Sequence, residues 1–450
     1  MSHRPILLSI ALLTAPLLVL SCRSLAPSRS VSETISGRDS SAEDSTSGSP
    51  AIHAVTHRQQ RSGESPASLI WWEGERPTLQ VLFATNRIPQ RSAHDSRWSY
   101  DRQFDQTLRY GHCHVRLPEQ RRGKPPEPDT PPPKLLGFIP LPQEPPPPPA
   151  QPQVTRVQPL AELEFHDRLQ QMLGQSPQPE LLLFVHGFNM DLEESNIRAA
   201  QMALDMPFEG AVICFSWPSR DSAQARSSDR QIVRQSGRPL ARLLVDLLDS
   251  VSPSTRVHIV AHCMGNRALL EAVNELPDRF EETRRIENIV HAAPAVSVSE
   301  FRELAQRGTR LAHRVTLYVC EDDPALEDVP ASVDAPLAGN ARPPLIVPGI
   351  ETIETDCIST SLLGAENDAH ELGLLGDLSA LIREGRPASQ RPWLDPADSK
   401  AGLWWICRRE PEEQVWSWPR SNTPTAEEPP TPKPADSPIR LLSAPGDAQE

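Results

Sequence analysis

Between an apolar segment, Arg256-Val-His-Ile-Val-Ala261, and an amphipathic one, Asn266 to Glu275, the chain reads Ala261-His262-Cys263-Met264-Gly265. A strand that turns into a helix over so few residues forces the residue at the turn into strained backbone geometry. The residues two before and two after it then have to be small, because the neighbouring strand and helix crowd them. Ala261 and Gly265 meet that need, and the side chain left at the top of the turn is the thiol of Cys263. The following helix aims its unpaired N–H groups and positive dipole end at that thiol, which favours both a thiolate and an oxyanion beside it. The N–H of Met264 is therefore one expected oxyanion donor.

The segments around this turn predict what it is embedded in. Leu181-Leu-Leu-Phe-Val-His186 is a continuous apolar run, as a strand covered on both faces requires. A helix is expected over Leu192–Asp205, a strand over Ala211–Ser216 and a long helix from about Asp229 to Ser250. Strands over Ile286–Ala293 and Arg314–Cys320 and a helix over Gly373–Arg383 follow. Short apolar strands alternating with amphipathic helices give an α/β class with a mostly parallel sheet, helices on both faces, over roughly residues 79–390.

The first of these strands runs into His186-Gly187-Phe188-Asn189. Gly187 lets the backbone approach closely there, and Phe188 N–H is the second expected oxyanion donor. In folds with such an elbow the orienting acid lies at the end of a later strand and the histidine comes after it. Glu321, Asp322 and Asp323 follow the strand that ends at Cys320, so one of the three is the expected acid. Beyond them His370 is the one histidine left in the chain, in Asn367-Asp-Ala-His370 just before a helix, as a loop-borne base requires.

Composition bounds the rest. With 59 acidic and 45 basic residues the net charge is −14, which repels phosphate backbones and argues against nucleic-acid binding. Arg4 and the apolar run Ile6–Leu20 read as an export signal, and Val19-Leu-Ser-Cys22 resembles the bacterial lipobox, in which the cysteine becomes the lipidated first residue. That makes residues 1–22 a lipoprotein signal, with Cys22 the lipidation site and the bacterial cell envelope the expected location. Residues 23–65 are Ser- and Gly-rich and predict a disordered tether. An irregular extension at 66–123 follows, then a Pro-rich insertion at 124–153 that holds the unbroken run Pro145–Pro149. The folded core is expected at 154–395 and a disordered Pro/Glu-rich tail at 410–450, with Trp404 and Trp405 among four tryptophans placed to pin its start. Cys214 and Cys320 sit in apolar runs and predict buried thiols, while His112-Cys113-His114 lacks a third metal ligand and predicts structural burial.

Several blocks together resemble a bacterial α/β-hydrolase family of unknown function, a relative of esterases and lipases. They are Val81–Arg87, Arg109–Pro118, Phe184–Asn189, Phe215–Ser219, Ala261–Asn266, Val315–Val319 with Asp323–Leu326, and His370. The resemblance implies an α/β-hydrolase fold and selects Asp323 as the acid, giving a triad of Cys263, Asp323 and His370. The departures are equally specific. The family carries serine at position 263, Pro-Asp where this chain has Pro294-Ala295, and a tyrosine where it has Arg226.

Beside a redox-sensing role for the Cys263 thiol, two functions are compatible with this reading. One is acyl transfer to Cys263 from an ester or thioester of a small or lipid-like substrate, which needs no metal or organic cofactor. The other is a catalytically silent lipoprotein that binds or scaffolds at the cell envelope.

Overall fold

The computed structural model describes residues 69–73, 76–92, 97–118, 134–135, 139–140, 151–176, 178–220, 226–320, 322–323, 326, 336–355, 369–400 and 402–408. The expected lipobox with Cys22, the expected tether at 23–65, most of the Pro-rich segment and residues 410–450 lie outside them. Among the described residues no helix is long and apolar enough to cross a membrane.

The first half of the domain is β1 (Ile70–Glu73), β2 (Arg76–Arg91), β3 (Trp98–Arg116), β4 (Lys134–Leu135), β5 (Ile139–Pro140), β6 (Gln153–Leu160), α1 (Glu162–Leu173), β7 (Glu180–Val185), α2 (Leu192–Asp205) and β8 (Ala211–Ser216). Next come α3 (Arg226–Gln235), α4 (Gly237–Ser250), β9 (Arg256–His262), α5 (Gly265–Glu275), α6 (Arg279–Thr283) and β10 (Ile286–Ala292). The last part is α7 (Val298–Leu304), α8 (Gln306–Leu311), β11 (Ala312–Val319), β12 (Glu351–Glu354), α9 (Ala369–Glu384), β13 (Leu394–Ser399) and β14 (Gly402–Cys407).

One sheet orders its strands β13-β14-β12-β11-β10-β9-β7-β8-β2-β3-β6, with β1 along β2. Pairing is parallel from β14 through to β2. β1, β3, β6 and β13 join antiparallel. All side chains of β7 and β8 are buried, the consequence of helices on both faces that their unbroken apolar runs foretold. This is the α/β-hydrolase architecture expected from the sequence.

Four expectations need correction. The extension at 66–123 is not irregular: β2 and β3 extend the central sheet through an antiparallel pairing. β3 escaped notice because its first half is only partly buried and so lacks an apolar alternation. The single helix expected to end at Ser250 is two, broken at Ser236. Pro239 lacks an N–H and crowds the carbonyl one turn before it, at the break. The folded core does not end at 395, a boundary that cuts through β13; β14 returns parallel to β12, and Trp404 Nε1 donates to Glu354 Oε2 at 2.9 Å. Finally, His370 is not in a loop but in the first turn of α9, which starts four residues earlier than predicted because Ala369, Glu371 and Leu372 are good helix formers.

Candidate active site

The strand order sets the site. From β7 the chain crosses to β8 on one side and returns with β9 on the other. The connections therefore change direction at β7, the kind of position on the carboxyl edge where ligands bind in open parallel sheets. The loop that leaves β7 is His186–Met190; the one that leaves β9 is the turn at Cys263.

Cys263 has φ = 48°, the left-handed region that a side chain bearing a Cβ adopts only under constraint. The constraint is visible. Its N–H donates to Ala292 O at 3.0 Å, and its carbonyl accepts Ala295 N–H at 3.1 Å and Asn266 N–H at 3.3 Å. The Asn266 amide locks the turn from below, donating from Nδ2 to Ala261 O (3.1 Å), Cys263 O (3.2 Å) and Ala292 O (3.1 Å). Its oxygen consequently faces His291 Nδ1 at 2.9 Å, which fixes that imidazole as the Nδ1–H tautomer. Burial holds His291 neutral, with its pKa pushed down to about 3.

Both glycines predicted at the site are required by space. A Cβ on Gly265 would press on the carbonyls of Val185 and His186, 2.7 Å from the former. One on Gly187 would lie 2.8 Å from His262 Nδ1 and 3.1 Å from Cys263 Cβ, so the β7 loop runs directly against the thiol-bearing residue. Ala261 is fully buried at the end of β9, and Met264 caps the helix that begins at Gly265.

The β7 loop is itself fastened at several points. Trp217 Nε1 donates to His186 O at 2.8 Å, and the two rings stack 5.3 Å apart. Asn189, at φ = 56°, turns its N–H away to Ser219 Oγ at 2.7 Å. At the loop's exit Met190 O accepts from Arg87 Nη2 at 2.7 Å. Arg87 is wholly buried and donates also to Ser216 Oγ at 3.0 Å and, at 3.4 Å, to Asp101 O; burial lowers its pKa to about 9. Phe188, the expected donor, lies within this loop and is partly buried.

Of the acid candidates, Asp323 is fully buried just after β11, whereas Asp322 is an exposed partner of Arg342 at 3.2 Å. Glu321 lies outside the described residues. His370 is placed by its backbone in the first turn of α9; its side chain, like that of Arg226, is outside the described residues. The rest of α9 is held by Asp377, whose Oδ2 accepts from Tyr318 Oη at 2.6 Å and from Arg391 Nη1 at 2.9 Å, all three residues being buried. Burial raises the Asp377 pKa to about 6 against the pull of Arg391. Thus β11, which leads to Asp323, and α9, which carries His370, meet at one buried hydrogen bond, Tyr318 to Asp377, whose carboxylate Arg391 pairs from a third segment.

Among the described cysteines, Cys113, Cys214, Cys263, Cys320 and Cys407 are buried and outside any disulfide, as expected for Cys214 and Cys320. No cluster of three or more metal-ligating side chains occurs among the described residues. His112 is buried and takes a hydrogen-bond contact from Gln80 at 3.2 Å, the structural role expected of it.

Sequence reasoning missed Arg87, Ser219, Asp229, Asn266 and His291 as a supporting set. Arg87, Ser219 and Asn266 fall in the blocks that carry the family resemblance, which was the available signal for three of them; Asp229 and His291 offered none.

The family comparison agrees with the architecture. Residues 161–335 match a family described as an alpha/beta hydrolase of unknown function (DUF900). No curated protein matches the chain. Among solved structures, an esterase of Pyrobaculum calidifontis is similar at 11% identity and a TM-score of 0.29, covering 47% of this chain and 77% of the esterase. Phospholipase PlaB from Legionella pneumophila, in complex with thio-NAD, is similar at 9% identity and a TM-score of 0.26, covering 51% of this chain and 67% of PlaB.

Proposed function

We propose that the protein is a hydrolase of ester or thioester bonds that works through an acyl-thiol intermediate on Cys263. His370 takes the thiol proton, the sulfur attacks the acyl carbonyl carbon, and the N–H groups of Phe188 and Met264 receive the developing oxyanion. Collapse expels the alcohol or thiol, which takes its proton from His370. Water, deprotonated by the same imidazole, then releases the acid. Asp323 orients the ring throughout. The observation that carries the reading is Cys263 at φ = 48°, between β9 and α5 and against the glycine of the β7 loop. Backbone strain of this kind at a residue bearing a Cβ clusters at active sites.

The substrate is a small or lipid-like acyl compound presented at a bacterial envelope membrane, to which lipid on Cys22 tethers the protein. Metabolic labelling with a palmitate analogue checks the tether: label is expected on the full chain and is absent from Cys22→Ala.

The silent-scaffold alternative draws support from position 295, where the resembled family has aspartate and this chain presents Ala295 N–H to the Cys263 carbonyl. Assay of the native protein, Cys263→Ser and His370→Ala on short-chain p-nitrophenyl esters decides between them. Turnover by the native protein that His370→Ala lowers by roughly 100-fold or more is expected. Activity in Cys263→Ser alone would show that the thiol silences an otherwise competent site.

A further inference from the structure

We infer that Ser219 and Asp229 are positioning residues that set the oxyanion-binding loop, acting through the peptide between Phe188 and Asn189. This rests on the acyl-transfer reading above. Ser219 Oγ accepts Asn189 N–H at 2.7 Å, and the same hydroxyl donates to Asp229 Oδ2 at 3.3 Å. Asp229 Oδ2 also accepts Arg220 N–H at 2.9 Å, and Arg102 Nη1 donates to Ser219 O at 3.1 Å. Ser219 and Asp229 are both fully buried.

The chemistry gives the chain of contacts a direction. A serine hydroxyl has one proton. With a carboxylate accepting it, the oxygen's lone pairs face Asn189 N–H, which pins the left-handed conformation of that residue. With Asn189 at φ = 56°, its N–H is committed to Ser219 Oγ, in the segment that follows β8. The neighbouring peptides, Gly187 and Phe188, are left to define the wall beside Cys263. Without the hydroxyl, the Phe188–Asn189 peptide loses its Ser219 anchor, and its relaxation toward φ < 0 at Asn189 is relayed through the Phe188 dihedrals to the Gly187–Phe188 peptide, which misaims Phe188 N–H. A carboxylate set behind the hydroxyl is costly to bury, and desolvation raises the Asp229 pKa. A turn that needed capping alone would be served as well by the Arg220 N–H contact.

The test separates thiol reactivity, which does not require an oxyanion hole, from formation of a tetrahedral adduct, which does. An alkyl trifluoromethyl ketone adds Cys263 Sγ at its carbonyl carbon. A C–S bond forms, the carbonyl π pair moves to oxygen, the thiol proton passes to the imidazole, and no group leaves. Ketone affinity is read by 19F NMR and iodoacetamide alkylation of Cys263 by peptide mass mapping, in the native protein and in Ser219→Ala, Ser219→Thr and Asp229→Asn. Melting curves confirm that each variant is folded.

Ser219→Ala and Asp229→Asn are expected to weaken the ketone on the order of 10- to 100-fold, the scale of a small misplacement at a reacting centre. Alkylation should stay within about twofold, and Ser219→Thr, which keeps the hydroxyl, should bind the ketone nearly as the native protein does. Unchanged ketone affinity in Ser219→Ala, or Ser219→Thr behaving as Ser219→Ala, overturns the positioning role while leaving the nucleophile intact. A native protein whose Cys263 is alkylated readily but binds no ketone overturns the acyl-transfer reading, and this inference with it.

Discussion

The two halves of the candidate site are built from different materials. The turn that carries Cys263 is fixed by uncharged contacts: the Asn266 amide on three carbonyls, and Gly265 packed against the carbonyls of Val185 and His186. The Asp323 and His370 side is fixed by charge, through Arg391, Asp377 and Tyr318. Neutral latches tolerate loss of one member, because Cys263 O and Ala292 O each keep another partner. A buried ion pair does not, since removing one charge strands the other.

That contrast sets the size of what each substitution should do. Arg391→Met, which leaves Asp377 buried without its cation, is expected to destabilise the domain by about 3–5 kcal/mol in urea unfolding. Asp377→Leu combined with Arg391→Met should recover most of that loss. Failure to recover would mean that the pair contributes through geometry that apolar packing cannot replace, and would blur the distinction drawn between the two sides.

Asn266→Ala should cost less, about 2 kcal/mol by the same measurement, because Cys263 O keeps Ala295 N–H and Ala292 O keeps Cys263 N–H. The unpartnered group left behind is His291 Nδ1. A loss as large as that of Arg391→Met would break the comparison outright.

The smallest effect per residue is one of pH. Burial pushes the pKa of His258 and His291 down to about 3 and that of His262 to about 4, from 6.5. The unfolded chain therefore binds protons that the folded one refuses, and stability present above pH 6.5 is lost as pH falls below it. Each ring is expected to cost about 1.5 kcal/mol at pH 5.5, so melting temperature should drop between pH 7 and pH 5.5 and drop less in His291→Gln.

The same contrast explains how much was legible in the sequence. Ala261, Cys263 and Gly265 could be read because their constraints are local, imposed by one strand, one turn and one helix. Gly187 was readable for the same reason, as a glycine directly after a buried strand. The ionic contact was not, since Tyr318, Asp377 and Arg391 come from three separate segments and obey no shared spacing. β3 was missed because a half-exposed strand shows no period, and β14 because Leu403 and Ile406 remain exposed on it. The break at Ser236 could have been read from Pro239, whose missing N–H was outweighed by the regular leucines around it.

Hydrolysis by this protein requires Cys263 to act as a nucleophile. Mixing the protein with excess p-nitrophenyl acetate, quenching in acid and mapping peptides by mass spectrometry tests this directly. A single acetyl group on Cys263 is expected within seconds, absent from Cys263→Ala and at least tenfold slower to form in His370→Ala. An unmodified Cys263, or one acetylated equally fast without His370, would contradict it.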